Sequence, residues 1–392
     1  MGVVKNLVLG LIYYLLSLFP FKERYYGKRI DLKKIRRLLV IQVSGIGDMI
    51  FLLPLLKALK DSFTDAYLTF LGGGEGARQI LSRTGLVDEI IPYPEKGRER
   101  GVRKILLVNE LRKRKFDLVI TSYVNSNYEF ALFSFFTGAP LRVGYEGKRR
   151  IWGGKGKGRL YNLVVELPSF LYEKHFVEIN LDILSLLGME RREEYPSFHW
   201  EGEEVRFAEE FLKKGGVEKG NFLVGIHPGS GEKMQYKRWP IEKFASLIDR
   251  LREQYKAKIL VLGGREEREV VEDLRKLVKE PILTYIGEDE LLKTMALIDR
   301  CSLFISNDTG LMHIASFLGI PTVAIFGPTS EVLSGPRGKN SVVIRKSLPC
   351  SPCYRFREVK CSHLACLDSL TVEEVWTQVK EFIDRLRLSY TQ

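Results

Sequence analysis

Short apolar runs recur along the chain, and most of them lead through a polar turn into a stretch with helical spacing of apolar residues. The clearest runs lie at 38–43, 222–226, 258–262, 303–306 and 322–326. Continuous apolar runs of this length are typical of parallel strands that are buried on both faces. Because strands and helices alternate along the chain, the pattern predicts an α/β protein with doubly wound parallel sheets.

The most informative turn lies inside the stretch 303–313 (LFISNDTGLMH). A strand that enters a helix through a Gly-containing turn presents backbone N–H groups and the positive end of a helix dipole, which suit an anion. Thr309 adds a hydroxyl, Gly310 lets a phosphate approach the backbone, and His313 lies one turn further on the same face. Asp308 would repel phosphate but suits sugar hydroxyls, so the stretch predicts a nucleotide-sugar site. The alternative is that Asp308 only caps the helix and His313 packs in the core.

A second turn, SGIGD at 44–48, follows the first strong strand. It lacks the G-x-G-x-x-G fingerprint of dinucleotide sites, because Ile50 stands where the third glycine would fall. Asp48 lies where open α/β sheets place their chemistry, and the start of a helix favours its ionised form. Asp48 is therefore a candidate general base, with helix capping as the alternative.

The second half of the chain carries further candidates for binding such a ligand. Ser230 belongs to an HPGSG loop that suits a phosphate or a sugar. Lys237, or Arg238 beside it, would neutralise a diphosphate. Glu266 and Glu267 come just after the next strand, where a carboxylate can bind two ribose hydroxyls.

Positive charge is concentrated in the first half of the chain. The formal net charge is +12, and residues 21–160 contain 28 Lys and Arg against 14 Asp and Glu. This half is expected to face an acidic partner, and two basic stretches at 96–115 and 148–159 are candidates, with solvated surfaces as the alternative. No nucleic-acid module accompanies them, so nucleic acid is not expected as a partner. The candidate acceptor-binding residues in the second stretch are Lys148, Arg149 and Arg150.

An apolar stretch at 7–21 has basic residues on both sides. It is shorter than the roughly 20 residues that a membrane-spanning helix needs. We interpret it as a helix that lies in the cytoplasmic face of the membrane and is held there by its basic flank. The alternative is a helix packed on the protein's own surface. The localisation expected is cytoplasmic and peripheral on the inner membrane.

Four of the five cysteines follow a C-x2-C-x7-C-x4-C spacing. This spacing fits a structural zinc ion, two disulfides or an iron–sulfur site. In a cytoplasmic chain, metal or free thiols are favoured over disulfides. A structural zinc is therefore the cofactor that the sequence allows, and none is expected for catalysis. The residues concerned are Cys350, Cys353, Cys361 and Cys366.

The chain is long enough for two domains of ordinary size. Residues 189–206 are polar and contain Pro196 and Gly202, which marks a domain boundary. The predicted divisions are a membrane-associating segment at 1–28, two Rossmann-like domains at 29–195 and 196–370, and a closing amphipathic helix at 371–392.

Long stretches of the sequence resemble the bacterial glycosyltransferase family 9, the ADP-heptose:lipopolysaccharide heptosyltransferases. They include LLVIQVSGIGDMIFLLPLLKALK, GIHPGSGEKMQYKRWP and, most specifically, SNDTGLMHIASFLGIPTVAIFGPT. The resemblance implies a GT-B architecture, in which two Rossmann-like domains face a central cleft and the closing helix packs back on the first domain. It also implies an ADP-sugar donor bound by the second domain and a phosphorylated lipid A-core acceptor bound by the first.

By position, the resemblance gives several residues specific roles. Asp48 resembles the family's general base, Lys237 its donor-phosphate lysine, and Asp308 the residue that holds the heptose. Thr309, Gly310 and His313 resemble the diphosphate and sugar contacts, and Glu266 the ribose carboxylate.

The implied reaction is an inverting transfer that needs one carboxylate to deprotonate the attacking hydroxyl. The chain has no D-x-D pair, so a metal-clamped diphosphate is not expected. The alternatives are a nucleotide-sugar epimerase of the same fold, a family member with another sugar donor, and a non-catalytic glycan-binding protein.

Overall fold

The computed structural model describes residues 10–16, 31–95, 100–147, 157–167, 173–287, 290–353, 359, 361 and 363–387. The chain divides into two compact units, Met1–Ser197 and Phe198–Gln392, two residues after the predicted boundary. Each unit contains one six-stranded sheet whose paired strands are all parallel. The predicted α/β class is confirmed.

The sheet of the first unit has the strand order β3-β2-β1-β4-β5-β6. Its strands are β1 (Arg37–Gln42), β2 (Tyr67–Gly72), β3 (Glu89–Pro92), β4 (Leu118–Thr121), β5 (Leu141–Gly147) and β6 (Leu163–Leu167). The helices are α1 (residues 10–16), α2 (Ile46–Ser62), α3 (Glu75–Ser82), α4 (Arg100–Lys113), α5 (Tyr128–Phe136) and α6 (Phe176–Leu186).

Strand β1 lies in the middle of this sheet, between β2 and β4. Leu38 pairs with Leu68 on one side and with Leu118 on the other. Five of the six β1 residues are buried, as expected for a strand that helices cover on both faces. Helix α2 follows β1 directly and packs against α6, so the β1–α2 turn lies at the carboxyl edge of the sheet.

The sheet of the second unit has the strand order β12-β11-β10-β7-β8-β9. Its strands are β7 (Leu223–His227), β8 (Lys258–Gly264), β9 (Leu283–Gly287), β10 (Leu303–Asn307), β11 (Thr322–Phe326) and β12 (Ser341–Arg345). The helices are α7 (Gly202–Lys214), α8 (Ile241–Tyr255), α9 (Arg268–Leu277), α10 (Leu291–Ile298), α11 (Gly310–Phe317), α12 (Glu331–Ser334), α13 (Ala365–Asp368) and α14 (Val372–Leu386).

The order of the strands reverses between β7 and β10, because β8 and β9 lie on one side of β7 and β10 to β12 on the other. In open α/β sheets, ligands bind beyond the carboxyl ends of the strands at such a reversal. The HPGSG loop and the Asn-Asp-Thr-Gly turn both begin there.

Helix α14 packs on the second unit. Its buried residues are part of the core that includes strands β7, β8, β10 and β11, and it also contacts α8 and β12. A capping box between Thr371 and Glu374 fixes its start. The apolar face of α14 thus completes the core of the second unit. The packing of this helix on the first domain stays a prediction. The residues that α14 contributes to this core are Val375, Val379, Phe382 and Ile383.

Of the predicted N-terminal segment at 7–21, the structure describes residues 10–16, which form α1. Tyr13 is buried against the first unit, and its hydroxyl accepts a hydrogen bond from the backbone N–H of Arg159, 2.8 Å away. Within the described part of the chain, no helix has the length and apolar character needed to cross a membrane. The candidate acceptor residues Lys148, Arg149 and Arg150 lie outside the described residues.

Candidate active site

Asp48 lies in the first turn of α2, as the strand-turn-helix pattern predicts. The helix begins after Gly45, which makes no side-chain cap, so the dipole at the start of α2 acts on the Asp48 carboxylate. The amide of Gln42 at the end of β1 donates to the backbone carbonyl of Asp48 at 2.9 Å and fixes the turn.

The Asp48 carboxylate receives a hydrogen bond from a buried tyrosine. The hydroxyl of Tyr123 donates to Oδ1 of Asp48 at 3.0 Å. Burial, followed by the negative charge of Asp48, raises the pKa of Tyr123 well above its ordinary value, so the phenol stays protonated and acts as a donor. The ring of Tyr123 is stacked on Phe176, with centroids 4.7 Å apart and planes 14° apart. The stack aims the hydroxyl at the carboxylate.

An asparagine from the same loop as Tyr123 holds the turn before Asp48. The side-chain oxygen of Asn125 accepts from the backbone N–H of Val43 at 2.8 Å, and its amide donates to the Val43 carbonyl at 3.2 Å. Ser122 donates to the same side-chain oxygen at 3.1 Å. The loop after β4 therefore positions both the turn and the carboxylate. The sequence analysis missed Tyr123 and Asn125, because their only signal is a polar loop after an apolar strand.

In the second unit, the structure brings two predicted residues directly together. Nζ of Lys237 lies 2.8 Å from Oδ2 of Asp308, and both side chains are largely buried, with 17% and 5% of their surface exposed. Burial by itself would raise the pKa of Asp308, but the charges of Lys237 and His313 outweigh it and hold that pKa below its ordinary value. The pair is therefore ionised at neutral pH. Its lysine is a cation fixed beside the start of α11.

Helix α11 begins at Gly310, and Thr309 occupies the position before it without capping it by its side chain. The Thr309 hydroxyl lies 3.1 Å from that of Ser306. His313 is buried one turn along the helix. The first N–H groups of α11 therefore point beyond the sheet edge beside the Lys237–Asp308 pair, which is the arrangement that suits a phosphate group.

Asn307 ties the two loops of this site to each other. Its side-chain amide donates to the carbonyls of Pro228 and Gly229 at 2.8 and 3.1 Å. Its side-chain oxygen accepts from the backbone N–H of Trp239 at 3.0 Å. All of its side-chain polar atoms serve the fold, so Asn307 holds the HPGSG loop and the lysine-bearing segment against β10. The sequence analysis did not select it, although its position at a strand end was a usable signal.

The two adjacent glutamates after β8 have different environments. Glu267 is buried, and its two oxygens accept from the backbone N–H groups of Gly231 and Gly264, both at 2.8 Å. Glu266 is exposed and accepts only one described bond, from the backbone N–H of Glu232 at 3.2 Å. Glu267 is thus committed to the loops, whereas Glu266 has carboxylate surface available to a ligand.

Ser230 is also used within the loop. Its hydroxyl donates to the Met234 carbonyl at 2.7 Å and accepts from Nε of Arg238 at 3.1 Å. A different serine, Ser330 in the turn after β11, is buried and its hydroxyl has no hydrogen-bond partner among the described residues. A buried hydroxyl of this kind indicates a ligand or a water molecule at that position.

Comparison with known proteins decides the family. The sequence model of glycosyltransferase family 9 (heptosyltransferase) matches residues 105–362, which is more than half of the chain. The chain belongs to glycosyltransferase family 9. It is therefore a glycosyltransferase, and the resemblance seen in its motifs is confirmed.

Named relatives agree with this assignment, and solved structures show the same fold. The chain is 27% identical over 323 residues to lipopolysaccharide heptosyltransferase 2 of Salmonella typhimurium, covering 79% of this chain and 88% of the relative. A family 9 glycosyltransferase from Veillonella parvula superposes with a TM-score of 0.74 at 22% identity, covering 91% of this chain and 99% of that one. The E. coli ADP-heptose lps heptosyltransferase II superposes with a TM-score of 0.68 at 22% identity, covering 90% of this chain and 99% of that one. The predicted GT-B fold class is confirmed.

The four cysteines of this family 9 enzyme were predicted to hold a structural metal. Burial, followed by the neighbouring Cys353 and Cys361, raises the pKa of the Cys366 thiol to about 11. A raised pKa keeps this thiol protonated, whereas zinc binds the thiolate. Among the described residues, no three His, Cys, Asp or Glu side chains form a group that could hold a metal ion. The structural zinc therefore stays a prediction.

Proposed function

We propose that this family 9 glycosyltransferase transfers heptose from ADP-heptose to the inner core of lipopolysaccharide, with inversion at the anomeric carbon. The observation that carries the proposal is the buried Lys237–Asp308 pair beside the start of α11. A fixed cation and free helix N–H groups suit a diphosphate, and a carboxylate beside them suits a sugar. The names of the relatives, which include ADP-heptose and lipopolysaccharide, support the choice of donor and acceptor.

We assign donor binding to the second unit. Lys237 and the N-terminus of α11, with Thr309 and Gly310, bind the diphosphate. Asp308 and His313 bind the heptose, with Ser230 shaping the loop beside it, and Glu266 binds the ribose hydroxyls. Because the cation is held in place by Asp308 before the donor arrives, little reorganisation is needed when charge develops on the leaving group.

We assign the proton transfer to Asp48. The acceptor hydroxyl oxygen forms a bond to the anomeric carbon as the bond from that carbon to the β-phosphate oxygen breaks, and ADP leaves with the electron pair. The hydroxyl proton passes to the Asp48 carboxylate. Tyr123 holds the carboxylate in one orientation through its hydrogen bond. Lys237 and the helix dipole stabilise the departing diphosphate, so the proposed transfer needs no metal ion.

The proposed acceptor is a phosphorylated lipid A–Kdo core on the cytoplasmic face of the inner membrane. The excess of basic residues in the first half of the chain supports an anionic acceptor, and we propose Lys148, Arg149 and Arg150 as its phosphate contacts. Nucleic acid is not a proposed partner.

The decisive experiment incubates the purified chain with ADP-heptose and lipid A–Kdo, with and without EDTA, and identifies the product by mass spectrometry. We expect a heptosylated acceptor in both conditions and none with UDP-heptose. If no donor from a panel of ADP- and UDP-sugars leads to a glycosylated lipid A core, the proposal is overturned. Conversion of the sugar nucleotide without an acceptor would favour the epimerase alternative.

A further inference from the structure

Exposed apolar side chains are concentrated on three helices of the first unit. Of the eleven exposed large hydrophobic residues in the described part of the chain, eight lie on α1, on α4 or at the end of α5. On α4, Val102, Ile105 and Leu106 have 61%, 72% and 62% of their surface exposed. Apolar patches of this kind mark interaction sites. The other exposed apolar residues of these three helices are Leu11, Ile12, Tyr14, Leu15 and Phe136.

Helix α5 contacts both α1 and α4. Towards α1, α5 presents Tyr128, whose ring lies 4.9 Å from that of Tyr13. Towards α4, it presents Glu129, which pairs with Lys104 at 2.7 Å. Helix α5 therefore links α1 and α4 in one group of contacting helices.

The outward side of α4 is distinct from its inward side. Leu107 and Leu111 are buried in the core with residues of β1 and β4. Val102, Ile105 and Leu106 occupy the opposite side of the same helix and face away from that core. Burial within the unit therefore does not explain these three apolar residues. We name them the α4 face.

Helix α4 is also strongly basic. It carries five Lys or Arg residues against one glutamate, Glu110. Of the basic residues, Arg103, Arg112 and Lys113 are exposed. An apolar stripe with basic residues around it is the pattern of a helix that lies in the interface of an anionic bilayer.

We propose that the α4 face docks on an anionic lipid bilayer. The apolar side chains enter the boundary between headgroups and acyl chains, and the Lys and Arg side chains around them bind lipid phosphates. Charge complementarity favours a bilayer over a second copy of this chain, since two copies would bring two basic helices together. The inference deepens the proposed function, because it names the surface from which a lipid-borne acceptor is reached.

Vesicle flotation of the full chain tests this docking without donor or acceptor, so its outcome is separate from that of the transfer assay. We expect the protein to float with phosphatidylcholine–phosphatidylglycerol vesicles, and much less with phosphatidylcholine alone or at high salt. The variant V102S/I105S/L106S should lose about tenfold or more of the binding to anionic vesicles. The matched control is L277S/V332S, which removes exposed apolar residues from the second unit and should bind as the unchanged protein does.

A second measurement does not depend on a triple substitution that could affect folding. In the variant Ile105→Trp, the added fluorescence should shift to the blue when anionic vesicles are present. The same shift is not expected for Leu277→Trp. Unchanged flotation of the triple variant, or no shift at position 105, would overturn the proposal. A dimer in sedimentation that the triple substitution dissociates would also overturn it, in favour of a second copy as the occupant.

Discussion

In the second unit, the candidate donor residues Lys237 and Asp308 form a largely buried ion pair, whereas in the first unit the candidate base Asp48 lies partly exposed. Lys237 and Asp308 pair with each other, and Asn307 joins two loops through three hydrogen bonds. The Asp48 carboxylate accepts a hydrogen bond from the Tyr123 hydroxyl. We infer that binding a charged diphosphate requires preorganised charge, while a base must remain able to take up a proton.

Replacement of Asp48 should have the largest effect on turnover. In Asp48→Asn, the side chain keeps its size but can no longer accept a proton. We expect kcat to fall by about 100- to 10,000-fold, the usual contribution of a general base. Steady-state kinetics of heptose transfer to lipid A–Kdo measure this change in kcat. Unchanged turnover would remove Asp48 from the mechanism.

Replacement of Asp308 should have the largest effect on stability. Asp308→Asn leaves the Lys237 ammonium buried without its counter-charge, and breaking such a pair costs about 3–5 kcal/mol. Denaturant unfolding at neutral pH measures the loss. The matched control is Glu373→Gln, which breaks the exposed pair with Arg250 and should change little. If the two substitutions lowered the unfolding free energy equally, the Lys237–Asp308 pair would not be a buried, preorganised ion pair.

The stability that Asp308 contributes should depend on pH in one direction. Its pKa is lowered in the folded protein, so its contribution is complete above the ordinary aspartate pKa of about 4 and is lost as the pH falls through the lowered value. The difference in unfolding free energy between the unchanged protein and Asp308→Asn should therefore be constant near neutrality and shrink in acid. A difference that grows on acidification would contradict this account.

Removal of the Tyr123 hydroxyl should have a moderate and specific effect. Tyr123→Phe keeps the ring stack on Phe176 but removes the donor to Asp48. Since a hydrogen bond to a carboxylate favours its charged form, the acid limb of the pH–rate profile should move to higher pH, and kcat should fall about tenfold. The KM for the donor should not change.

The matched control is Tyr145→Phe. Its hydroxyl is buried in the same unit and donates to the backbone carbonyl of Ile179 at 3.0 Å instead of to Asp48. This control should leave the pH–rate profile in place. A shift of the same size in both variants would indicate a general loss of packing and not a positioning role for Tyr123.

The smallest predicted effects separate the two glutamates after β8. Glu266→Gln should raise the KM for the donor several-fold with little change in stability, because one hydrogen bond to a ligand contributes about 0.5–1.5 kcal/mol. Glu267→Gln should instead lower the midpoint of thermal unfolding, because its carboxylate accepts from two backbone N–H groups. If Glu267→Gln raised the KM and Glu266→Gln lowered the unfolding midpoint, Glu267 would be the ligand-binding residue and Glu266 the structural one.

Much of the fold was accessible from local sequence patterns. The apolar runs and the polar turns after them located the strands that precede Asp48 and Asp308. This was possible because hydrophobic periodicity and turn composition depend on residues that are neighbours in the sequence. The contacts that define the site are not local. Lys237 and Asp308 are 71 residues apart, and Tyr123 and Asp48 are 75 residues apart, so no spacing rule could pair them.

The closing helix shows the same limit for packing. Its apolar stripe predicted an amphipathic helix, and the helix is present, but a stripe does not identify the surface that covers it. The structure places the apolar stripe in the core of the second unit, and the predicted packing on the first domain stays a prediction. The distinct environments of Glu266 and Glu267 were likewise decided by the loops that surround them.

The division of work between the two halves is tested most directly by the affinity of ADP-heptose for Asp48→Asn and for Lys237→Ala, measured by titration calorimetry. The account predicts that Asp48→Asn binds the donor as tightly as the unchanged protein, while Lys237→Ala binds it at least about tenfold more weakly. If Asp48→Asn loses as much donor affinity as Lys237→Ala, the assignment of proton transfer to one half and donor binding to the other is contradicted.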